Sequence, residues 1–146
     1  MNINHGKYLG VDYGDKRTGI ADCDISGLVA TGIATVSEGG MRNTAVRVAK
    51  EAEARLCKKI IVGLPKNMDG SEGERADVVR AFAAILKEYT EIPIEFYDER
   101  MTTMEAYRFL DTTATYGKKR KGAIDTLSAQ IILQNYLDRE RTLGKE

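Results

Sequence analysis

Three short apolar runs at the start of the chain constrain its fold more than any other feature. Residues 7–13 (KYLGVDY) form a β-prone run that stops at Gly14. Residues 18–23 (TGIADC) and 29–36 (VATGIATV) follow after connections of a few residues, with Asp24, Ser26 and Gly27 supplying turn chemistry between them. A parallel pair needs a crossover of about a dozen residues or more, so connections this short make neighbouring strands antiparallel. The chain therefore begins as a three-strand meander.

After Gly39 and Gly40 the period changes. Ala45, Val48, Ala49, Ala52 and Leu56 recur at helical spacing with lysines and arginines between them, which predicts an amphipathic helix over 42–57. Lys59 to Gly63 reads as a buried strand. A glycine-bearing loop follows, then a second helix with Val79, Phe82, Ala83 and Leu86 on one face, and Pro93 opens a strand over 94–97. Thr102 and Glu105 form a capping box for a short helix ending near Leu110. Residues 111–122 (DTTATYGKKRKG) look like an exposed, mobile loop. A final helix is expected over 123–139, with Ile124, Leu127, Ser128 and Ile131 inward. The order β-β-β-α-β-α-β-α-α implies an α/β fold: a five-stranded mixed sheet, its first three strands antiparallel, with helices on both faces. A length of 146 residues fits one domain, 1–146.

Acidic residues fall where these elements end. Asp12 interrupts the apolar first strand at its carboxyl end, Asp98 and Glu99 end the last strand, and Asp125 lies in the first turn of the expected final helix. That is the edge at which α/β folds place their ligands. Magnesium prefers oxygen ligands, commonly one or two carboxylates plus substrate phosphate oxygens. Two such ions about 3.5–4 Å apart activate water and stabilise the leaving oxygen of a phosphodiester. Each residue has a plainer explanation. Asp12 suits a turn cap, and Asp98 or Glu99 suits pairing with Arg100 or capping the next helix. An acid at position 125 favours the helix dipole by a few tenths to about 1 kcal/mol.

Charge must act locally if the substrate is a polyanion, because Lys plus Arg and Asp plus Glu both number 22. The densest basic run is Lys118, Lys119, Arg120 and Lys121, suited to sequence-independent phosphate contacts or to a solvated surface. Lys16 and Arg17 adjoin Asp12 and suit flanking phosphates, though Lys16 equally suits an ion pair with Asp15 or Glu99. The loop 63–73 carries Lys66 and glycines whose N–H groups suit a phosphate, or is an ordinary connection. Tyr116 is a weak candidate for stacking on a base.

The remaining composition mainly excludes. With 42% hydrophobic and 30% charged residues the chain is globular rather than disordered. No apolar run approaches the roughly 20 residues of a membrane span, and the amino terminus lacks the pattern of a signal peptide, so a cytoplasmic location without a membrane partner is expected. Cys23 and Cys57 have no CxxC spacing and read as small buried hydrophobes. With His5 the single histidine, a zinc site is not expected.

Four segments add a resemblance. Gly10 to Ala21 (GVDYGDKRTGIA), Ile61 to Gly70 (IVGLPKNMDG), Asp98 to Ala106 (DERMTTMEA) and Ile124 to Leu133 (IDTLSAQIIL) resemble the successive motifs of the YqgF/RuvX family, in order and at similar spacing. These are bacterial proteins described as Holliday-junction-resolvase-like and as pre-16S rRNA nucleases. The resemblance covers nearly the whole chain and implies an RNase H-like fold, with the family's acidic residues falling on Asp12, Glu99 and Asp125. It implies a hydrolase: a Mg²⁺- or Mn²⁺-dependent nuclease in 5′-end maturation of pre-16S rRNA during ribosome biogenesis. Its partners would be structured RNA and ribosomal precursor particles. The alternative substrate is branched DNA, as for a Holliday junction resolvase in recombination and repair. Junction cutting favours a homodimer, whereas RNA trimming needs only a monomer. Ser128 stands where the family usually has alanine. The expected final helix has no histidine, so proton transfer falls to water or metal.

Two other classes compete. Asp12-Tyr-Gly14 followed by Thr18-Gly19 also resembles the phosphate hairpin of actin-type and sugar-kinase ATP sites, but those need two lobes and 146 residues supply one. The second is a non-catalytic nucleic-acid-binding factor that keeps its acidic residues as relics.

Overall fold

The computed structural model describes residues 6–98 and 117–143, with the side chains of 126–142 in the latter stretch. The described elements run β1 (Lys7–Asp12), β2 (Thr18–Cys23), β3 (Ala30–Val36), α1 (Met41–Ala54), β4 (Cys57–Leu64), α2 (Glu74–Leu86), β5 (Ile94–Asp98) and α3 (Gly117–Leu143). The five strands form one sheet in the order β3-β2-β1-β4-β5. β1 pairs antiparallel with β2, which pairs antiparallel with β3; β4 lies parallel to β1 and β5 parallel to β4. This is the mixed sheet that the short early connections and later crossovers require.

The two faces are covered by different helices. Successive strand side chains alternate between faces, so Leu9, Val11, Ile20, Ile60 and Val62 join one core cluster with Val48, Ala52, Val79, Phe82 and Leu86 of α1 and α2. Tyr8, Ala21, Cys23 and Ile61 join a second cluster with Ala129, Ile132, Leu133, Tyr136 and Leu137 of α3. Both cysteines are buried and free. Burial pushes the Cys57 thiol up to about 12, so it stays protonated and serves as a small apolar side chain.

α3 lies close to the sheet because two strand positions lack a Cβ. A Cβ on Gly10 would stand 2.8 Å from Leu133 Cβ and 3.0 Å from the Ala129 carbonyl oxygen, and one on Gly32 would overlap Thr126. Ala129 and Ser128, both small, are 0% and 1% exposed.

Several expected boundaries are corrected. Residues 117–122 are not loop but the opening turns of α3, so Lys118, Lys119, Arg120 and Lys121 stand on a helix. Lysine and arginine are good helix formers, and the charge of the run had masked that propensity. The inner seam of α3 is 128, 129, 132, 133, 136 and 137, while Leu127 and Ile131 are only half-buried. The seam turns this way because Ala129, not a larger residue, fits over Gly10. α1 stops at Ala54 rather than 57, and Cys57 opens β4 instead of ending the helix. The capping-box helix expected over 102–110, and positions 111–116 including Tyr116, lie outside the described residues.

Leu56 explains that stop. It sits just past the α1 C-cap at φ 59°, with its N–H donating to the Glu53 carbonyl, and its side chain is 81% exposed. A left-handed leucine costs about 1–2 kcal/mol that glycine does not. Leu56→Gly should therefore raise stability by about 1 kcal/mol after its greater unfolded-state entropy is counted, seen as a higher Tm. Gly10→Ala should act oppositely, lowering stability by about 1–3 kcal/mol through overpacking against α3. A higher Tm for Gly10→Ala would mean that α3 can retreat from the sheet freely.

Candidate functional site

Asp12 closes β1 on the face that α3 covers. Tyr8 and Gly10, two and four residues earlier, both meet α3, whereas Leu9 and Val11 meet the opposite core, so alternation assigns position 12 to the α3 side. Across the sheet Asp12 pairs with Gly19, which pairs with Thr35. On its other side Val11 pairs with Val62, so Asp12 comes abreast of Gly63, which pairs with Tyr97. A half-buried carboxylate is thus flanked in its row by two buried glycines.

The chain after Asp12 is held firmly. The Gly14 N–H donates to Thr18 Oγ1 at 3.2 Å, and the Thr18 hydroxyl donates back to the Gly14 carbonyl at 3.3 Å. Thr18 therefore closes this turn. Tyr13 points to the other face and stacks on Phe82 at 4.4 Å between ring centroids. Arg75, in the first turn of α2, donates to the Tyr13 carbonyl at 2.8 Å and to Asp15 Oδ1 at 3.1 Å. Asp15 thus pairs with Arg75, and Lys16 is exposed without an ion pair among the described residues. No sequence pattern pointed to Arg75, because its partners lie 60 and 62 positions away.

α3 brings its early turns to the same edge. Thr126 Oγ1 lies 3.2 Å from Thr35 Oγ1, and Thr35 stands two strand spacings, about 10 Å, from Asp12. Position 125 is the next helical residue, one turn before Ala129 on Gly10. The side chain of Asp125 is outside the described set. The 27-residue helix spans about 40 Å, of which roughly 12 Å precedes position 125 and carries the basic run at 118–121.

The far end of α3 is tied down by a polar network. Lys59 Nζ donates to the Tyr136 hydroxyl at 2.9 Å and pairs with Glu95 at 3.0 Å, while that hydroxyl lies 2.8 Å from Glu95 and 3.0 Å from Glu140. Burial, then Glu95 and Glu140, raise the Tyr136 phenol, which keeps it a hydrogen-bond donor at all working pH. Burial alone would raise the Glu95 carboxyl, but Lys59 and Tyr136 outweigh it and hold it below the usual range. This network also fixes the facing of β5: Glu95 and Tyr97 meet α3, Phe96 joins the α1 and α2 core, and Asp98 falls with Phe96. Asp98 is therefore on the opposite face from Asp12. Glu99 lies outside the described residues.

Among the described residues no group of three or more histidine, cysteine or acidic side chains could hold a metal; Glu99 and the side chain of Asp125 lie outside them. What is described fits a hard cation in donor type: a half-buried carboxylate at the end of β1. Lys66 is half-buried and makes no ion pair with a described residue, and Arg17 is half-buried. The loop N–H groups of Asn67, Gly70 and Ser71 are already used within the loop, so they form no phosphate cradle.

Arg75→Ala should loosen the turn beyond Asp12. Loss of a charged hydrogen bond to a backbone carbonyl, in a pair partly open to solvent, should cost about 1 kcal/mol. Amide exchange at Gly14 should quicken more than exchange in β4; uniform exchange would show that Arg75 does not buttress the turn.

Residues 6–139 match the family model described as "RuvX: Holliday junction resolvase". A protein of Thermoanaerobacter pseudethanolicus named "Putative pre-16S rRNA nuclease" is 42% identical over 136 residues, covering 92% of this chain and 98% of the relative. One of the same name from Crocosphaera subtropica is 40% identical over 133 residues, covering 91% and 93%. Among solved structures, Thermus thermophilus RuvC in complex with a Holliday junction substrate superposes with a TM-score of 0.61 at 13% identity, covering 97% of this chain and 98% of that one. The fowlpox virus resolvase, solved with Holliday junction DNA, gives 0.57 at 12% identity, covering 91% and 97%. At such identities the likeness establishes the RNase H-like fold. The sequence match goes further: this chain belongs to the RuvX family.

Proposed function

We propose that this chain hydrolyses phosphodiester bonds with a divalent metal, Mg²⁺ or Mn²⁺, held by Asp12, Glu99 and Asp125, and that its substrate is the 5′ end of pre-16S rRNA. Membership in a family of nucleases makes the chain a hydrolase of nucleic acid. The observation that carries the site assignment is the glycine-flanked Asp12, on the sheet face where α3 closes down on Gly10 and brings position 125 to the same edge. Glu99 is chosen over Asp98 because Asp98 falls on the opposite face.

When bound, the metal supplies Lewis acidity and a nucleophile generated from water at neutral pH. The chain's own residues do the rest. Three carboxylates hold the cation and orient it through oxygen atoms. Lys16, Arg17 and Lys66 flank Asp12 at the same edge and bind neighbouring phosphates. Lys118, Lys119, Arg120 and Lys121, on the turns of α3 ahead of Asp125, grip the backbone without reading sequence. The final helix carries no histidine, so protons pass to solvent.

The substrate follows from the relatives' name, and ribosomal precursor particles in the cytoplasm are the setting it implies. Among the described residues no helix is long and apolar enough to cross a membrane. Holliday junction DNA is the second reading, favoured by the family description and by the RuvC-like fold. Junction cutting favours a homodimer, whereas trimming an RNA end needs only a monomer.

The test compares wild type with Asp12→Asn, Glu99→Gln and Asp125→Asn on structured precursor RNA and on four-way DNA. Each variant should lose more than about a hundredfold in rate, beyond the 10–100-fold that losing a supporting hydrogen bond costs, and EDTA should stop wild type. Cleavage unchanged by EDTA would overturn the metal assignment, and cleavage of DNA alone would favour the second reading. Alanine at 118–121 should flatten the salt dependence of binding by about one unit of log–log slope per lost phosphate contact. An unchanged slope would make that run a solvated surface.

A further inference from the structure

The connection from Asp12 to Gly19 is held from two sides. Arg75 reaches from α2 to the Tyr13 carbonyl and to Asp15 Oδ1. Thr18 takes Gly14 in both directions: its oxygen accepts the Gly14 N–H, and its hydroxyl donates to the Gly14 carbonyl. The backbone also touches itself across the turn, because a Cβ on Gly14 would overlap the Arg17 carbonyl oxygen. Between these fixed points stands Lys16, exposed at the edge where β1 ends.

Packing does not explain a hydroxyl at position 18. Thr18 is 1% exposed and shares the α1–α2 face of β2 with Ile20, where a valine would have the same shape. A buried hydroxyl needs partners, and this one commits its donor and an acceptor to a single residue. The result is a brace across the mouth of the loop. Asp12 has little need of it, since it belongs to β1 and pairs with Gly19 in the ladder. What the brace fixes is the path of residues 15–17. Lysine carries its charge on a flexible four-carbon stem, so the loop backbone decides where that charge can reach. The acid beside it, Asp15, pairs with Arg75, so the loop does not rely on Lys16 to balance that charge.

We propose that Thr18 is a positioning residue for substrate binding: its hydroxyl holds the 14–18 loop in the form that presents Lys16 to a phosphate flanking the cleaved bond. The inference rests on the nuclease reading for its ligand and on Lys16 as a phosphate contact. A loop closed before the substrate arrives gives up little conformational freedom on binding, whereas an unbraced loop must give it up at that moment. The hydroxyl therefore acts on affinity and leaves the chemical step alone.

Binding can be separated from cleavage. Full-length wild type, Thr18→Val, Thr18→Ser, Lys16→Ala and the Thr18→Val/Lys16→Ala double variant are titrated in EDTA with a fluorescein-labelled RNA hairpin carrying a single-stranded 5′ extension. Thr18→Val should bind about three- to tenfold more weakly than wild type, the factor set by ordering one flexible side chain on binding. Thr18→Ser should restore most of that affinity. In the Lys16→Ala background, Thr18→Val should change affinity by less than about twofold, because the two residues act as one unit. In Mg²⁺, Thr18→Val should raise KM while kcat holds. Equal binding by wild type and Thr18→Val overturns the inference, as does an undiminished Thr18→Val loss in the Lys16→Ala background. A fall in kcat at unchanged KM also overturns it, since the hydroxyl would then support Asp12. If Thr18→Val does not fold, Gly14→Ala repeats the comparison by displacing the Arg17 carbonyl with Thr18 in place. Cleavage by wild type in Mg²⁺ is scored separately. Binding coupled between Thr18 and Lys16 without cleavage would defeat the catalytic reading and leave the positioning role standing; cleavage without any effect of Thr18→Val would do the reverse.

Discussion

The packing of α3 on Gly10 governs the placement of everything else at the carboxyl edge. With no side chain at that position the helix backbone descends until the Ala129 carbonyl and Leu133 Cβ meet the sheet. A helix at ordinary distance would ride on a layer of side chains; this one rests partly on backbone. Its axial position is therefore fixed by shape, because Ala129 fits over Gly10 and a larger residue would not. Thr126 over Gly32 repeats the device on the outer strand, and its hydroxyl contact with Thr35 adds a polar constraint. The residue before Thr126 is Asp125.

The same helix is secured at its other end by different forces. Lys59, Tyr136, Glu95 and Glu140 form a network that is partly sheltered, so its hydrogen bonds count for more than they would in open water. Arg139 and Lys59 lie over neighbouring tyrosine rings, adding cation–π contacts. Apolar fit holds the middle and charge holds the end, and the two together remove both sliding and rotation of α3. On the opposite face Tyr13 is anchored by Phe82 and Arg75. Asp12 thus stands between a strand core packed from both sides and a turn that is closed by its own hydrogen bonds.

Electrostatics at this edge are arranged by cancellation. The chain as a whole has no net charge to draw a polyanion. Around Asp12 the acids Asp15 and Glu72 are each matched by an arginine, whereas Lys16 and Lys66 have no ion pair among the described residues. Local positive charge therefore remains at this edge of a chain whose overall charge is zero. Among the described residues, the edge remote from Asp12 carries most of the exposed apolar side chains.

Much of this is legible in the sequence itself. The short connections after residues 13 and 23 forced antiparallel pairing, the shift from period two to period 3.6 located α1 and α2, and Val79, Phe82, Ala83 and Leu86 are buried as their spacing required. These are local properties, decided by chain length and by neighbours a turn away. Asp12 could be singled out because an acid at the end of an apolar strand is conspicuous by itself. Other features belong to the tertiary structure alone. The seam of α3 depends on which residue fits a glycine more than a hundred positions earlier, and helical periodicity by itself is blind to that. Arg75 and Lys59 look like ordinary surface cations until the fold brings them to Tyr13 and Tyr136. The facing of β5, with Glu95 and Tyr97 toward α3 and Phe96 and Asp98 away from it, is set by its pairing with β4 and its contacts with Tyr136. Sequence specified which elements form; long-range packing specified which faces and which residues meet.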